Sequence, residues 1–187
     1  PVECTRVAVL MAGARSPLGW QPADRGAVDV FDVKGIVEEV ADALAVPGLS
    51  VEPGLHDALR PGRTGEVLVQ GAAAGWIGEL HPAVAERFDL GGQEVIVAEL
   101  DLPPFLRTAI DRHPTRPVPG YPAVKEDLAF VLDLTVPVSR VHDLIVKAGG
   151  PLLAGATLFD DYQGDKLGAG RRSLAFALTY QAPDRTL

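Results

Sequence analysis

The chain has 187 residues, of which 47% are hydrophobic and 22% are charged, a balance that supports one or two packed cores. That apolar fraction excludes an unfolded chain, in spite of 20 glycines and 16 prolines. A single cysteine, Cys4, excludes an intramolecular disulfide and a cysteine-based zinc site. No apolar run approaches the roughly 20 residues of a membrane helix and no signal peptide is recognisable, so we expect a cytoplasmic protein.

The net charge of −8 is distributed unevenly along the chain. Residues 1–114 carry 9 Lys and Arg against 17 Asp and Glu, whereas residues 115–187 carry 8 of each kind. An acidic surface repels the phosphates of a nucleic acid, so the first part is a poor candidate for binding one. The neutral second part can bind a nucleic acid through a local basic cluster.

The first part of the chain, 1–112, alternates short apolar runs with stretches of helical spacing. Antiparallel strands with short helices predict an α+β module. We expect a loop at 52–60. The predicted elements are a strand at 5–11, a helix at 33–44 with Asp32 as N-cap, a hairpin over 66–80, a short helix after His81-Pro82, a strand at 94–100 and a helical turn at 102–107.

A proline-rich linker, 113–120, precedes the second part of the chain, 121–187. The second part is predicted to contain a strand at 126–133, a helix beginning near Pro137 or Ser139, and a hairpin over 158–181. Strand–helix–strand–strand is the first two-thirds of a ferredoxin-like, split βαβ unit. The second helix and fourth strand of that unit are not evident. We therefore expect an incomplete domain whose remaining elements come from outside this chain.

The second arm of the predicted hairpin alternates cleanly between two kinds of side chain. One face carries Leu174, Phe176, Leu178 and Tyr180, and the other carries Ser173, Ala175, Ala177 and Thr179. A period of two indicates one buried face and one open face. The open face is made of small side chains, which would let a large flat ligand approach the backbone closely.

The first arm of the hairpin, LFDDYQG (158–164), supplies an aromatic residue to that open face. If Phe159 lies in the core, the neighbouring Leu158, Asp160 and Tyr162 point outward. The open face is then predicted to hold five residues, namely Ala129, Val131, Tyr162, Ser173 and Ala175. Three basic residues, Lys166, Arg171 and Arg172, follow near the tip of the hairpin.

The sequence contains none of the motifs that identify a common active site, and we expect no catalytic residue in this chain. His56, His81, His113 and His142 lack ligand spacing, so no metal site is expected. An exposed aromatic beside small residues and a few cations is how proteins hold single-stranded RNA. Two alternatives stay open: a ferredoxin-like module that binds a small regulatory ligand, and a purely structural subunit domain in which Tyr162 packs on a neighbour.

Several stretches of the chain resemble a known family, in the order in which that family has them. YPAVKEDLAFVLD (121–133), LFDDYQG (158–164) and GRRSLAFALTY (170–180) closely resemble the anticodon-binding domain that ends the beta subunit of bacterial phenylalanyl-tRNA synthetases. VDVFDVKG (28–35), RPGRTGEVLV (60–69) and IGELHPAV (77–84) resemble the module that precedes this domain. The resemblance covers nearly the whole chain.

The resemblance implies a role in a heterotetramer of two alpha and two beta subunits. The alpha subunit would join phenylalanine to tRNA(Phe) using ATP, with Mg²⁺ in the whole enzyme and no cofactor in this chain. Residues 1–112 would form a class II synthetase-like module that has lost catalysis and serves assembly. Residues 121–187 would recognise the anticodon: Tyr162 would stack on a base, with Ser173 and Ala129 nearby and Arg171 and Arg172 close to phosphate.

The chain departs from the family in one turn. Arg60-Pro61-Gly62-Arg63-Thr64-Gly65 stands where the family usually has His-Pro-Gly-Arg-Ser-Ala. No function is therefore assigned to this turn. The metal and editing sites of the family lie in other domains of the beta subunit, and the resemblance transfers none of them to this chain.

Overall fold

The computed structural model describes residues 3–16, 19–20, 24, 26–110 and 118–187, with Asp165 described by its backbone alone. The chain separates into two compact units, Pro1–Pro114 and Thr115–Leu187. Most of the predicted linker, 113–117, lies outside the described residues. None of the helices in the described part of the chain has both the length and the apolar character needed to span a membrane.

The first unit is built on a five-stranded antiparallel sheet with short helices, as the alternation of its sequence predicts. The helices are α1 (Val30–Ala43), α2 (Pro82–Arg87) and α3 (Leu102–Thr108). The strands are β1 (Arg6–Ala12), β2 (Leu49–Pro53), β3 (Leu59–Val69), β4 (Ala72–Leu80) and β5 (Val95–Asp101). Their order across the sheet is β1-β5-β4-β3-β2.

Helix α1 packs its apolar face into the core of this unit. Its buried residues, Val33, Val37 and Ala41, are four positions apart and therefore lie on one side of the helix. They share a cluster with residues of the central strands and with Phe105 of α3. Burying a side chain such as Val or Phe contributes about 1.5–3 kcal/mol, so this face holds the helix on the sheet.

Two of the predictions for the first unit are wrong in detail. The N-cap of α1 is Asp29, which forms a capping box with Asp32 at the third helical position. Asp29 and Asp32 are three positions apart, and both precede apolar residues with helical spacing. That spacing alone favoured Asp32, which lies closer to the apolar residues. The loop predicted at 52–60 is shorter and covers only 54–58, because strand β2 ends at Pro53 and β3 begins at Leu59.

The second unit has the strand–helix–strand–strand order predicted from the sequence. Strand β6 (Val124–Asp133) is followed by helix α4 (Val138–Gly149) and then by the strands β7 (Leu153–Tyr162) and β8 (Arg171–Tyr180). The sheet is antiparallel with the order β6-β8-β7, so β8 is its central strand. Residues 181–187 add no helix or strand.

The alternation of β8 is confirmed in the second unit. Leu174, Phe176 and Leu178 are buried in a cluster with Ile145 of α4. The intervening residues Ser173, Ala175, Ala177 and Thr179 are half-buried. Helix α4 therefore covers one face of this sheet, and the small side chains occupy the other face.

Candidate nucleic-acid interface

The pairing of the three strands determines which residues share the face of the second sheet that α4 does not cover. Residues directly opposite each other in antiparallel strands point to the same face. Ser173 on β8 lies between Val131 on β6 and Tyr162 on β7. The next row contains Ala129, Ala175 and Asp160, and the following one contains Asp127, Ala177 and Thr157. We call this surface the open face.

Tyr162 is the largest side chain that these rows place on the open face. It is the last residue of β7, and 46% of its surface is exposed. Its cross-strand partner Ser173 is small, and Ala175 and Ala129 follow in the next row. An aromatic ring with small neighbours offers a flat apolar surface that a second ring can reach. The structure thus places Tyr162, Ser173 and Ala129, which were all predicted to belong to the site, together on the open face.

The path of β7 contains a bulge that the alternation of the sequence did not reveal. The register shifts between Leu158, which opposes Phe176, and Asp160, which opposes Ala175. Phe159 is the extra residue, and 57% of its surface is exposed, so the assumption that it lies in the core is wrong. Leu158 shares the side of Phe176 that α4 covers, and its predicted outward position is also wrong. After the bulge, Asp160 and Tyr162 lie opposite Ala175 and Ser173, and both side chains are therefore on the open face.

The two arginines at the start of β8 point in opposite directions. Arg171 opposes Asp133, belongs to the open face and is exposed. Arg172 opposes Leu132 on the other face, and only 12% of its side chain is exposed. Its Nη1 lies 3.3 Å from Oδ2 of Asp161, and its Nη2 donates to the carbonyl of Val136. The structure therefore separates Arg172 from Tyr162, although both were predicted to belong to one site.

The face that α4 covers is only partly filled. A groove of about 530 Å³ runs between α4 and β6 and is lined mainly by apolar side chains. Leu128 and Phe130 of β6 and Leu144 of α4 contribute to it and remain partly exposed. This groove lies on the side of the sheet opposite to the row of Tyr162.

The first unit contains a buried carboxylate held by two arginines. Glu79 on β4 is 5% exposed in its side chain, and its Oε1 accepts from Nη1 of Arg60 at 2.6 Å. Nε of Arg63 lies 3.3 Å from Oε2, which accepts no hydrogen bond from the described residues. The hydrogen bond and charge of Glu79 raise the pKa of Arg60 above its ordinary value. The unusual turn 60–65 thus belongs to β3 and carries an ion pair to the neighbouring strand.

The histidines in the described part of the chain have separate positions in the fold. His81 caps α2 by accepting from the backbone N–H of Ala83, and the ring of His56 lies 5.3 Å from that of Trp76. His142 lies 3.8 Å from the carboxylate of Asp143, and His113 lies outside the described residues. Within the described residues, no group of three or more His, Cys, Asp or Glu side chains is arranged to hold a metal ion.

Comparison with known families matches each unit separately. Residues 1–102 match the model described as phenylalanyl tRNA synthetase beta chain CLM domain, and residues 119–187 match that of the ferredoxin-fold anticodon binding domain. The fold of the two units and the two family matches define the class of protein: an antiparallel α+β module followed by a ferredoxin-fold domain of the anticodon-binding type. The chain belongs to the family of phenylalanyl-tRNA synthetase beta chains.

The chain is similar along its whole length to several curated proteins named phenylalanine–tRNA ligase beta subunit. That of Symbiobacterium thermophilum is 44% identical over 187 residues, which are 100% of this chain and 21% of that protein. Those of Bacillus subtilis and Geobacillus kaustophilus are 38% and 36% identical over 188 residues, covering 100% of this chain and 23% of each protein. The chain thus spans about a fifth of the length of these relatives.

Proposed function

We propose that the open face is the surface with which a phenylalanine–tRNA ligase recognises the anticodon of tRNA(Phe). One observation carries the proposal: a half-exposed Tyr162 stands opposite Ser173 on a face of small residues. This face lies within the segment that matches an anticodon-binding model. Unstacked bases of a single-stranded loop bind on aromatic side chains, and small neighbours leave room for them.

The charges on the open face indicate how a loop would lie on it. Asp127 and Asp160 share the rows of Ala177 and Ala175, so the middle of the face repels phosphate. Arg171 lies at the end of the face nearest to Tyr162, where a guanidinium can pair with a phosphate oxygen. The bases would therefore lie over the middle of the sheet while the backbone passes along the end of the face that carries Arg171.

The first unit, in this proposal, is a class II synthetase-like module without catalytic residues that joins the beta subunit to the alpha subunit. Two subunits of each kind would form the enzyme, and the alpha subunit would perform the ATP-dependent aminoacylation. The described residues offer no donor cluster that fits Mg²⁺. In this proposal, ATP and Mg²⁺ act in other parts of the whole enzyme. Copurification of an alpha-type subunit with the complete natural protein tests the assembly.

Titration with an anticodon stem-loop tests the proposal for the open face. Tyr162→Ala in the complete natural protein should weaken binding by about 1–3 kcal/mol, the usual contribution of one stacked base. Tyr121→Ala is the matched control, because Tyr121 is another exposed tyrosine of this unit but precedes β6 at the opposite end of the sheet. Binding should also weaken as salt increases, because phosphate contacts release counterions.

The two alternatives predict different results in the same titration. A purely structural domain would not bind the stem-loop, and an equal loss in Tyr162→Ala and Tyr121→Ala would also contradict the proposal. A module for a small regulatory ligand would use a cavity such as the groove beside α4, so changes on the open face would leave its binding intact. The relatives named above favour the tRNA function over both alternatives.

A further inference from the structure

Gly164 lies two residues beyond Tyr162, directly against the tyrosine ring. A Cβ atom built on Gly164 would lie 2.3 Å from Oη of Tyr162, 2.6 Å from its Cζ and 3.1 Å from its Cε1. Carbon and oxygen atoms that are not bonded stay more than 3 Å apart, so the ring fills the space that any side chain at this position would need. One edge of the phenol is therefore backed by the bare backbone of Gly164.

The backbone of Gly164 does not itself require glycine. Its φ lies outside the left-handed region, unlike that of Gly168 and Gly170 in the same hairpin. Its carbonyl accepts a hydrogen bond from the N–H of Leu167 at 3.0 Å, which ties the residue into the following turn. The ring of Tyr162 can thus lie against Gly164 because Gly164 has no side chain, and not because its backbone has an unusual conformation.

We infer that Gly164 is a positioning residue that holds the ring of Tyr162 in the orientation in which it receives a nucleobase. This inference rests on the proposed function of the open face. A ring that is oriented before the ligand arrives loses less conformational entropy on binding, and affinity rises accordingly. A methyl group at position 164 would push the ring away from the backbone without removing any atom of the stacking surface.

Gly164→Ala in the complete natural protein tests the inference, with the anticodon stem-loop as probe. We expect affinity to fall about tenfold, within the range for one misplaced stacked base. Gly35→Ala is the matched control: it adds the same methyl group in the first unit, at an ordinary φ, and beyond its chain neighbours and its own helix backbone nothing lies within 4 Å of the new Cβ. An unchanged affinity in Gly164→Ala, when Tyr162→Ala does lose affinity, would overturn the inference.

A double-mutant cycle separates positioning from a general loss of stability. If Gly164 acts through the tyrosine ring, Gly164→Ala should have no further effect on affinity in a protein that already carries Tyr162→Ala. An equal loss in both backgrounds would show that the methyl group disturbs the domain in another way and would overturn the inference. The unfolding midpoint of each variant, measured alongside, identifies such a disturbance.

A readout without RNA distinguishes failure of this inference from failure of the proposed function. The ¹⁹F NMR signal of a fluorotyrosine at position 162, assigned through Tyr162→Phe, should shift in Gly164→Ala and stay in place in Gly35→Ala. An unmoved signal in Gly164→Ala would overturn the positioning role whatever the RNA titration gives. A shifted signal with normal RNA binding in both Gly164→Ala and Tyr162→Ala would support the positioning and overturn the RNA function.

Discussion

Tyr162 and Ser173 stand directly opposite each other on neighbouring strands, so the largest side chain on the open face has one of the smallest as its partner. Directly opposed Cβ atoms are about 4.5–5.5 Å apart, close enough for the partner residue to decide what can reach the ring. A serine leaves the ring accessible from the middle of the sheet. The pair therefore defines both the platform and the clearance beside it.

Ser173→Leu should fill this clearance and weaken RNA binding about tenfold, comparable to the loss of one stacked base. Leucine fits a strand, and Ser173 lies outside the core cluster of this unit, so the unfolding midpoint should stay unchanged. Thr179→Leu is the matched control, since Thr179 lies on the same strand and face but six residues away. Stem-loop titration of both variants checks the prediction, and equal losses would contradict it.

Substitution of Arg171 should affect RNA binding and substitution of Arg172 should affect stability, although the two residues are adjacent in the sequence. Arg171→Gln should reduce RNA affinity and make the negative slope of log affinity against log salt less steep by about 1, with no change in stability. Arg172→Gln should cost about 1–3 kcal/mol of stability, because it breaks the pairing with Asp161 and the hydrogen bond to Val136. Salt-dependent titration and urea unfolding of both variants separate the two roles; a shared phenotype would refute the separation.

The sequence predicted the two faces of β8 because alternation is a local property of an extended strand. From that alternation alone, Ser173 and Ala175 could be placed on the open face, and Leu174 and Phe176 in the core. Tyr162 was placed correctly with them, as the resemblance also implied. Asp160 and Tyr162 are two residues apart and both follow the bulge, so their side chains still point to the same face.

The features that sequence reasoning missed depend on cross-strand pairing or on a choice between similar neighbours. The bulge at Phe159 is a mismatch in length between β7 and β8, which neither strand reveals by itself. The inward position of Arg172 could have been found from the alternation, since Arg172 is two residues before the buried Leu174 on the same strand. The prediction instead grouped Arg172 with the other basic residues near the tip of the hairpin and did not apply the alternation to it.

Glu79→Gln should destabilise the first unit by about 1–3 kcal/mol, because it removes a buried charge that balances Arg60 and Arg63. Glu52→Gln on the edge strand β2 is the control, since Glu52 is exposed. Urea unfolding of the 187-residue chain by tryptophan fluorescence reports on this unit, because both tryptophans, Trp20 and Trp76, belong to it. Equal stability of the two variants would show that the ion cluster is not stabilising.

Two aspartates around Arg15 should make the first unit sensitive to acid. The backbone N–H of Gly26 and the Arg15 guanidinium lower the pKa of Asp24 below its ordinary value of 3.8. The backbone N–H of Asp29 and the same guanidinium lower the pKa of Asp32. A carboxylate whose pKa is lower in the folded state stabilises the protein above the unfolded pKa. That contribution is lost as pH falls below about 3.8 and through the lowered values.

A variant that combines Asp24→Asn with Asp32→Asn should therefore be less stable than the natural sequence at neutral pH and approach it in stability in acid. Asp42→Asn is the control, because Asp42 is also on α1 but is exposed near the end of the helix. Thermal unfolding followed by tryptophan fluorescence, between about pH 7 and pH 2, measures the difference. A difference that stays constant over this range would mean that the loss arises from the capping geometry of α1 and not from the titration of the two carboxylates.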